Sequence, residues 1–266
     1  MSALSRVFRR SVAAGDAVLV PYLTAGDPGL AQTVDYACAL VEGGAGVLEL
    51  GVPFSDPLAD GPVIQRASER ALAAGTRTGD VLECAAAIHE KTGVPIVLMS
   101  YLNPVLRYGW ERFPQDAAAA GVRGLILTDL PPEEAGPFLD GQREAGIGTV
   151  FLVAPTSGPE RIRQAVELTT GFVYCVSRLG VTGERTALSA AFRPVLDGVR
   201  EISDIPVGVG FGVSTPEQAR EVGQLADGVI VGSRLVALAE EAGAKAVAAL
   251  RSEARALSAA LAGCRS

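Results

Sequence analysis

Eight short apolar runs, each followed by a stretch of helical character, constrain this chain more than any other feature. They are Val18–Leu23, Gly46–Gly51, Pro95–Ser100, Gly124–Thr128, Gly148–Val153, Phe172–Val176, Pro206–Gly210 and Gly228–Val231. Each is rich in Val, Ile and Leu and bounded by Gly, Pro or polar residues, as a strand buried on both faces is. The sequence between them predicts helices over 31–42, 62–73, 79–91, 110–120, 132–145, 159–169, 189–201 and 215–224. A short amphipathic helix over 3–10 precedes the first run, and the alanine-rich tail from Ser233 is helical. Strand–helix alternation specifies a parallel sheet. Eight such units in 266 residues lead to a single (β/α)8 TIM-barrel domain over 1–266, α/β in class, with an extra N-terminal helix and additional helices. A doubly wound open sheet is the alternative. It ordinarily carries GxGxxG after its first strand, where this chain has Thr24-Ala-Gly-Asp-Pro-Gly.

Barrel chemistry sits at the carboxyl ends of the strands. The second run leaves its strand through a long loop rich in Gly and Pro, with Glu49 before the exit and Asp60 beyond it. Along a strand Val47 and Glu49 share one face, and Leu48 and Leu50 the other. Burial raises the pKa of a carboxyl such as Glu49, so that it stays protonated and donates near neutral pH. Asp60, in a turn-rich loop, is expected to be hydrated and ionised. Two carboxylates pushed apart in pKa form an acid/base pair. Plainer readings stand beside this one: Glu49 satisfied by backbone amides, Asp60 capping the helix that Pro62 begins, Asp56 a turn residue before Pro57. Tyr101 and Asn103 after the third strand, Asp129 after the fourth and Tyr174 in the sixth fall at the same end.

The loop over 177–188 is long, and Gly180 and Gly183 are candidate hinges on either side of Thr182, so it reads as a lid or as an ordinary surface loop. The seventh and eighth strands end in Gly208-Val-Gly-Phe-Gly212 and Val231-Gly232-Ser233. Glycines let backbone amides approach a ligand, and a helix N-terminus favours an anion. These turns therefore suit a phosphate, or simply tight corners of the barrel.

A net charge of −7 without a basic stripe excludes nucleic acid as the natural partner. Cys38, Cys84, Cys175 and Cys264 have no CxxC spacing, and the first three, within apolar segments, read as reduced core or near-core thiols of a cytoplasmic protein. No signal peptide and no apolar run of membrane-spanning length is visible. His89 is the single histidine. It lies in a polar helical stretch and is expected on a solvated face. A Ser-His-Asp triad and a multi-histidine metal site are thereby excluded, and acid/base work falls to carboxylates, tyrosines or lysines.

Leu48-Glu-Leu-Gly-Val-Pro-Phe-Ser-Asp-Pro-Leu-Ala-Asp-Gly-Pro62 closely resembles the signature of the tryptophan synthase alpha chain family. Pro21–Pro28, Asp129–Glu134, Val176–Gly183 and Gly210–Glu217 extend the likeness, in order, over nearly the whole chain. The resemblance implies a (β/α)8 barrel that cleaves indole-3-glycerol phosphate to indole and glyceraldehyde 3-phosphate. It puts the acid/base on Glu49, the aspartate that steadies the indole N–H on Asp60, and a neighbouring tyrosine on Tyr174. It assigns substrate phosphate to Gly183, Gly212, Gly232 and Ser233, and the indole pocket to Tyr22, Tyr101 and Phe211 with Thr128 at its edge. Asp56, Pro57 and Asn103 would dock on a beta chain, in an alpha2-beta2 complex whose pyridoxal phosphate belongs to the beta partner. The alpha chain itself would need no metal or cofactor. Leu179, Glu184 and Thr128 depart from the family pattern, at the lid and the pocket edge. A standalone lyase that releases free indole, and a non-catalytic subunit that activates the beta chain, are the competing readings. Glu49, Asp60 and Tyr174 together count against the second of these.

Overall fold

A computed structural model describes residues 2–176, 185–210 and 212–265, with the backbone alone over 185–191. Its strands are β1 (Val18–Thr24), β2 (Leu48–Gly51), β3 (Ile96–Ser100), β4 (Val122–Leu127), β5 (Gly148–Thr149), β6 (Leu152–Val153), β7 (Val173–Val176), β8 (Val207–Gly210) and β9 (Gly228–Val231). All ladders are parallel, in the order β5-β4-β3-β2-β1-β9-β8-β7-β6. The two ends of that order, β5 and β6, are halves of the fifth predicted run, separated only by Val150 and Phe151. Val150 N–H donates to Leu125 O on the β4 side, and Phe151 O accepts from Tyr174 N–H on the β7 side. The fifth strand thus hands its pairing from one neighbour to the other, and the sheet closes into a barrel.

Each strand points alternate residues inward. Val18, Val20, Val47, Val97, Ile126 and Ile230 pack together inside the barrel. Leu48, Leu50, Ile96 and Leu98 face the surrounding helices in a second, larger cluster. The faces expected for Val47 and Leu48 are those observed.

The N-terminal helix, Ala3–Ala13, plugs the bottom of the barrel. Leu4 and Phe8 are fully buried, and Phe8 stacks on Phe172 with ring centroids 4.8 Å apart. The strands make room with glycines: a Cβ on Gly124 would lie 2.8 Å from Leu4 Cδ2, and one on Gly228 would lie 2.5 Å from Phe8 Cε1. Ser5 Oγ donates to Gly171 O at 2.5 Å, which fixes the helix to the turn before β7.

Some elements differ from expectation. Leu102–Tyr108 is a helix where the sequence suggested a plain connection, and the next helix shortens to Phe113–Ala119. The helix expected over 132–145 splits at Ala135 into a 3-10 turn, Pro132–Glu134, and a helix, Gly136–Glu144, with Pro137 in its first turn. His89 is half-buried rather than solvated: its Nδ1 lies 3.2 Å from Val94 O and its ring packs over Gly121. Among the described residues, no helix is long and apolar enough to cross a membrane.

Candidate active site

Above the plug, the inward positions change from aliphatic to mixed. Tyr22, Glu49, Met99, Thr128, Leu152 and Tyr174 line a cavity of about 750 Å3 at the carboxyl ends of the strands. Two glycines shape it. A Cβ on Gly51 would run into the Tyr22 hydroxyl, and one on Gly210 into the hydroxyl and ring of Tyr174.

Glu49 sits in β2 between Tyr22 of β1 and Val97 of β3. It is 1% exposed, and neither carboxyl oxygen has a hydrogen-bond partner among the described residues. The reading in which backbone amides satisfy it does not hold. Burial pushes its pKa up to about 8, and the Asp60 charge adds to the rise. A carboxyl in this setting keeps its proton at neutral pH and has nothing but the cavity to give it to.

Asp60 lines the same cavity from the loop after β2. The loop is braced: Ala59 N–H donates to Tyr101 Oη at 2.9 Å, and Gln65 Nε2 donates to Asp60 O at 2.9 Å. The carboxylate is half-buried rather than freely hydrated. Burial raises its pKa to about 6, against a lowering hydrogen bond from Tyr101. It is ionised at neutral pH all the same. Gly61, not Asp60, is the N-cap of helix Pro62–Ala73, and no side chain caps that helix. Asp60 is thus free of the structural duty that a loop acid beside Pro62 suggests.

The two inward tyrosines differ in their bonding. Tyr22 Oη lies 3.1 Å from Thr24 Oγ1. Burial holds Tyr22 and Tyr174 well above the usual phenol range, so both remain O–H donors; Asp60 adds to this at Tyr22 and Glu49 at Tyr174. Tyr101 does not line the cavity. It stands behind the loop, with its ring 5.0 Å from Phe54. Thr128 does line it, and its Oγ1 donates to Ser100 O at 3.2 Å.

Gly212, Ser214, Gly232, Ser233 and Arg234 line the cavity as well. Gly212 has φ +50°, in the left-handed region that glycine tolerates. Gly232 is the N-cap of helix Ser233–Ala242. The first amides of a helix have no intrahelical acceptor and suit an anion. Gly183, Thr182 and Phe211 lie outside the described residues, as do Leu179, Gly180 and Glu184.

Residues not expected from the sequence also reach the cavity, among them Met99, Leu152, Ile64, Arg161 and Arg234. Met99 and Leu152 stand two residues beyond the inward Val97 and Val150, so strand period alone signals them. Arg161, in helix Pro159–Leu168, pairs with Glu133 at 3.1 Å, and Arg234 pairs with Glu253 at 3.2 Å. No local motif marks either arginine.

Outside the cavity, Asp56 and Asn103 are exposed, Pro57 is half-buried and Leu58 is 89% exposed. Asp129 caps the unexpected helix, accepting from Leu102 N–H at 2.7 Å. Among the described residues, no group of three or more His, Cys, Asp or Glu could hold a metal ion. Burial raises the thiols of Cys84 and Cys175 to about 12, which leaves both inert.

The family model described as tryptophan synthase alpha chain matches residues 8–262. The tryptophan synthase alpha chain of Solibacter usitatus is 51% identical over 241 residues, covering 91% of this chain and 90% of its own. That of Geobacter sulfurreducens is 51% identical over 222 residues, 84% of each chain. Among solved structures, tryptophan synthase from M. tuberculosis superposes with a TM-score of 0.90 at 43% identity, covering 98% of both chains. The alpha chain from Legionella pneumophila gives 0.89 at 39% identity, covering 98% of this chain and 97% of that one.

Proposed function

The chain belongs to the tryptophan synthase alpha chain family, and from that premise we propose that its barrel carries out the carbon–carbon lyase step on indole-3-glycerol phosphate. The observation that carries this reading is Glu49: a buried carboxyl, unpartnered, protonated at neutral pH and facing the same cavity as an ionised aspartate.

The chemistry follows from the pair. Glu49 gives its proton to the ring carbon that bears the glycerol phosphate side chain. Positive charge then develops on the ring nitrogen, and the Asp60 carboxylate accepts the N–H and stabilises that charge. The protonated ring becomes an electron sink. Loss of the proton from the adjacent side-chain hydroxyl, for which the newly formed Glu49 carboxylate is at hand, drives cleavage of the carbon–carbon bond. The bonding pair returns to the ring, and indole and glyceraldehyde 3-phosphate result. Tyr174 borders the acid and helps to bury it. Tyr22 and Thr128 bound the space for the indole, and Tyr101 acts through its hold on Ala59. Gly212, Gly232 and Ser233, with Gly183 and Thr182 of the lid and Phe211, complete the substrate site in this reading.

The family also implies a beta chain. The exposed Asp56 and Asn103 and the half-buried Pro57 are the docking face in this proposal, and pyridoxal phosphate chemistry belongs to the partner. The work is placed in the cytoplasm. Indole release from indole-3-glycerol phosphate, measured with and without a beta chain, tests the whole. Slow release that rises sharply with the partner supports a synthase subunit. Fast release that the partner does not alter replaces it with a standalone lyase, and no release in either case with a binding subunit.

A further inference from the structure

Resting on the lyase reading of this cavity, we propose that Gln65 is a positioning residue for the reaction: its side-chain amide spans the turn 57–60 and so keeps the Asp60 carboxylate where charge develops on the ring nitrogen. The loop that carries Asp60 holds itself together but has few ties to the barrel. Asp60 N–H donates to Pro57 O at 3.0 Å, and Leu58 N–H to Asp56 O at 2.9 Å. Both bonds lie inside the loop, so they leave it free to pivot as a body. Its outer side has no packing to resist this: Leu58 is 89% exposed, and Ala59 is exposed as well.

Beyond Val52, two side chains of other elements hydrogen-bond to this loop among the described residues. Tyr101 Oη accepts from Ala59 N–H at 2.9 Å, from the β3 side. Gln65 Nε2 donates to Asp60 O at 2.9 Å and reaches Pro57 O at 3.5 Å, from the helix side. One nitrogen therefore touches the first and the last carbonyl of the turn. Two carbonyls opposite it also settle which end of the amide faces the loop, since only the nitrogen donates.

The amide projects from a firm base. Gln65 N–H closes the first turn of helix Pro62–Ala73 on Gly61 O at 3.0 Å. Its neighbours Ile64 and Ala67 are buried against Tyr22 and Val236. Without the Gln65 donor, the turn is held by Tyr101 alone and swings about that point. Charge stabilisation depends on where the carboxylate stands, and a shift of an ångström is costly in rate.

Glu49 from β2, Tyr22 from β1, Tyr101 from the β3 exit and Tyr174 from β7 are the titratable groups around Asp60 among the described residues. Arg161 and Arg234 line the same cavity, each paired with a glutamate. Burial is the larger influence on Asp60, and the Tyr101 hydrogen bond opposes it. A turn that swings outward carries the carboxylate into water, so its pKa falls from about 6 toward the ordinary carboxylate range.

The test is indole release from indole-3-glycerol phosphate by the isolated full chain, followed from about pH 4 to 9. Gln65→Met keeps the length of the side chain, removes the donor and suits a helix. It is expected to lower kcat about tenfold with KM within about twofold. The acidic limb of kcat/KM is expected to move below pH 6, while the basic limb, set mainly by burial of Glu49, stays near pH 8. Asp60→Asn and Gln65→Met combined, read with enzyme in excess, are expected to be no slower than Asp60→Asn alone, because Gln65 acts through Asp60. An unmoved acidic limb with unchanged kcat in Gln65→Met overturns the proposal. So does a rise in KM alone, which makes Gln65 a binding group, and so does a further loss when Gln65→Met is added to Asp60→Asn. In each of these cases release by the unaltered chain leaves the lyase reading standing. No release by the unaltered chain overturns that reading and the role of Gln65 together.

Discussion

At the scale of single residues, the cavity rests on a carboxyl kept protonated and a carboxylate kept charged. With Asp60 near 6 and Glu49 near 8, kcat/KM for indole release is expected to be bell-shaped, rising through about pH 6 and falling through about pH 8. A flat profile across that range would remove the acid/base assignment. Asp60→Asn is expected to abolish the acidic limb and to lower kcat by about a hundred- to ten-thousand-fold, the range for a charge-stabilising or proton-transferring group. Glu49→Gln is expected to lower kcat as severely and, in the same variant, to raise stability. The folded chain holds the Glu49 proton up to about pH 8, whereas an ordinary glutamate loses it near 4.5. Between those values the folded state binds more protons than the unfolded one, so stability falls as pH rises through the window. Glutamine removes that fall. The gain in urea denaturation is expected to be small at pH 5 and to grow to the order of a few kcal/mol by about pH 8. Equal stability of the two proteins at both pH values would show that Glu49 is not held protonated.

At the scale of elements, the strands and the position of Glu49 were legible because both depend on local sequence. A lone acid in an apolar strand stands out whatever surrounds it, and the inward face follows from a period of two. What was not legible depends on distant partners. Helix Leu102–Tyr108 takes its cap from Asp129, 27 residues further along the chain, so nothing next to Leu102 announces a helix start. Val150 and Phe151 match their neighbours in character, and only the need to pair with β4 on one side and β7 on the other breaks the strand there. Arg161 reaches the cavity from a helix turn that no motif distinguishes. The plug is testable at this scale. Phe8→Ala empties the space under Phe172 and is expected to cost about 3–5 kcal/mol in urea denaturation. Because Phe8 lies at the opposite end of the barrel from Glu49, kcat should change little. Gly210→Ala acts at the active end, where the added methyl meets the Tyr174 ring. It is expected to destabilise by about 1–3 kcal/mol and to lower kcat/KM as well; wild-type values for both would mean that Tyr174 has room to move.

At the scale of the whole molecule, the cavity mouth and the proposed docking face share one loop. Leu58 stands 89% exposed between Pro57 and Asp60, and an isolated leucine so placed gains by being covered. Leu58→Ser is expected to leave slow indole release by the isolated chain unchanged and to reduce its stimulation by a beta chain. Full stimulation of that variant would move the docking face elsewhere. The order of the ladders also bears on how the chain is made. Synthesis proceeds from the N-terminus, and β1 to β5 can pair as neighbours while the remainder is still being translated. The other flank of β1, however, belongs to β9, the last strand to be made. Leu4 and Phe8 emerge ahead of every strand of the barrel, yet Phe8 waits for Phe172 and Gly228 to cover it. A nascent or truncated chain lacking Gly228–Val231 therefore presents an unpaired row of β1 amides and carbonyls beside an uncovered apolar helix, a combination that invites sticking to other chains. The finished barrel hides both at once, so this protection is a property of the closed barrel rather than of any of its parts.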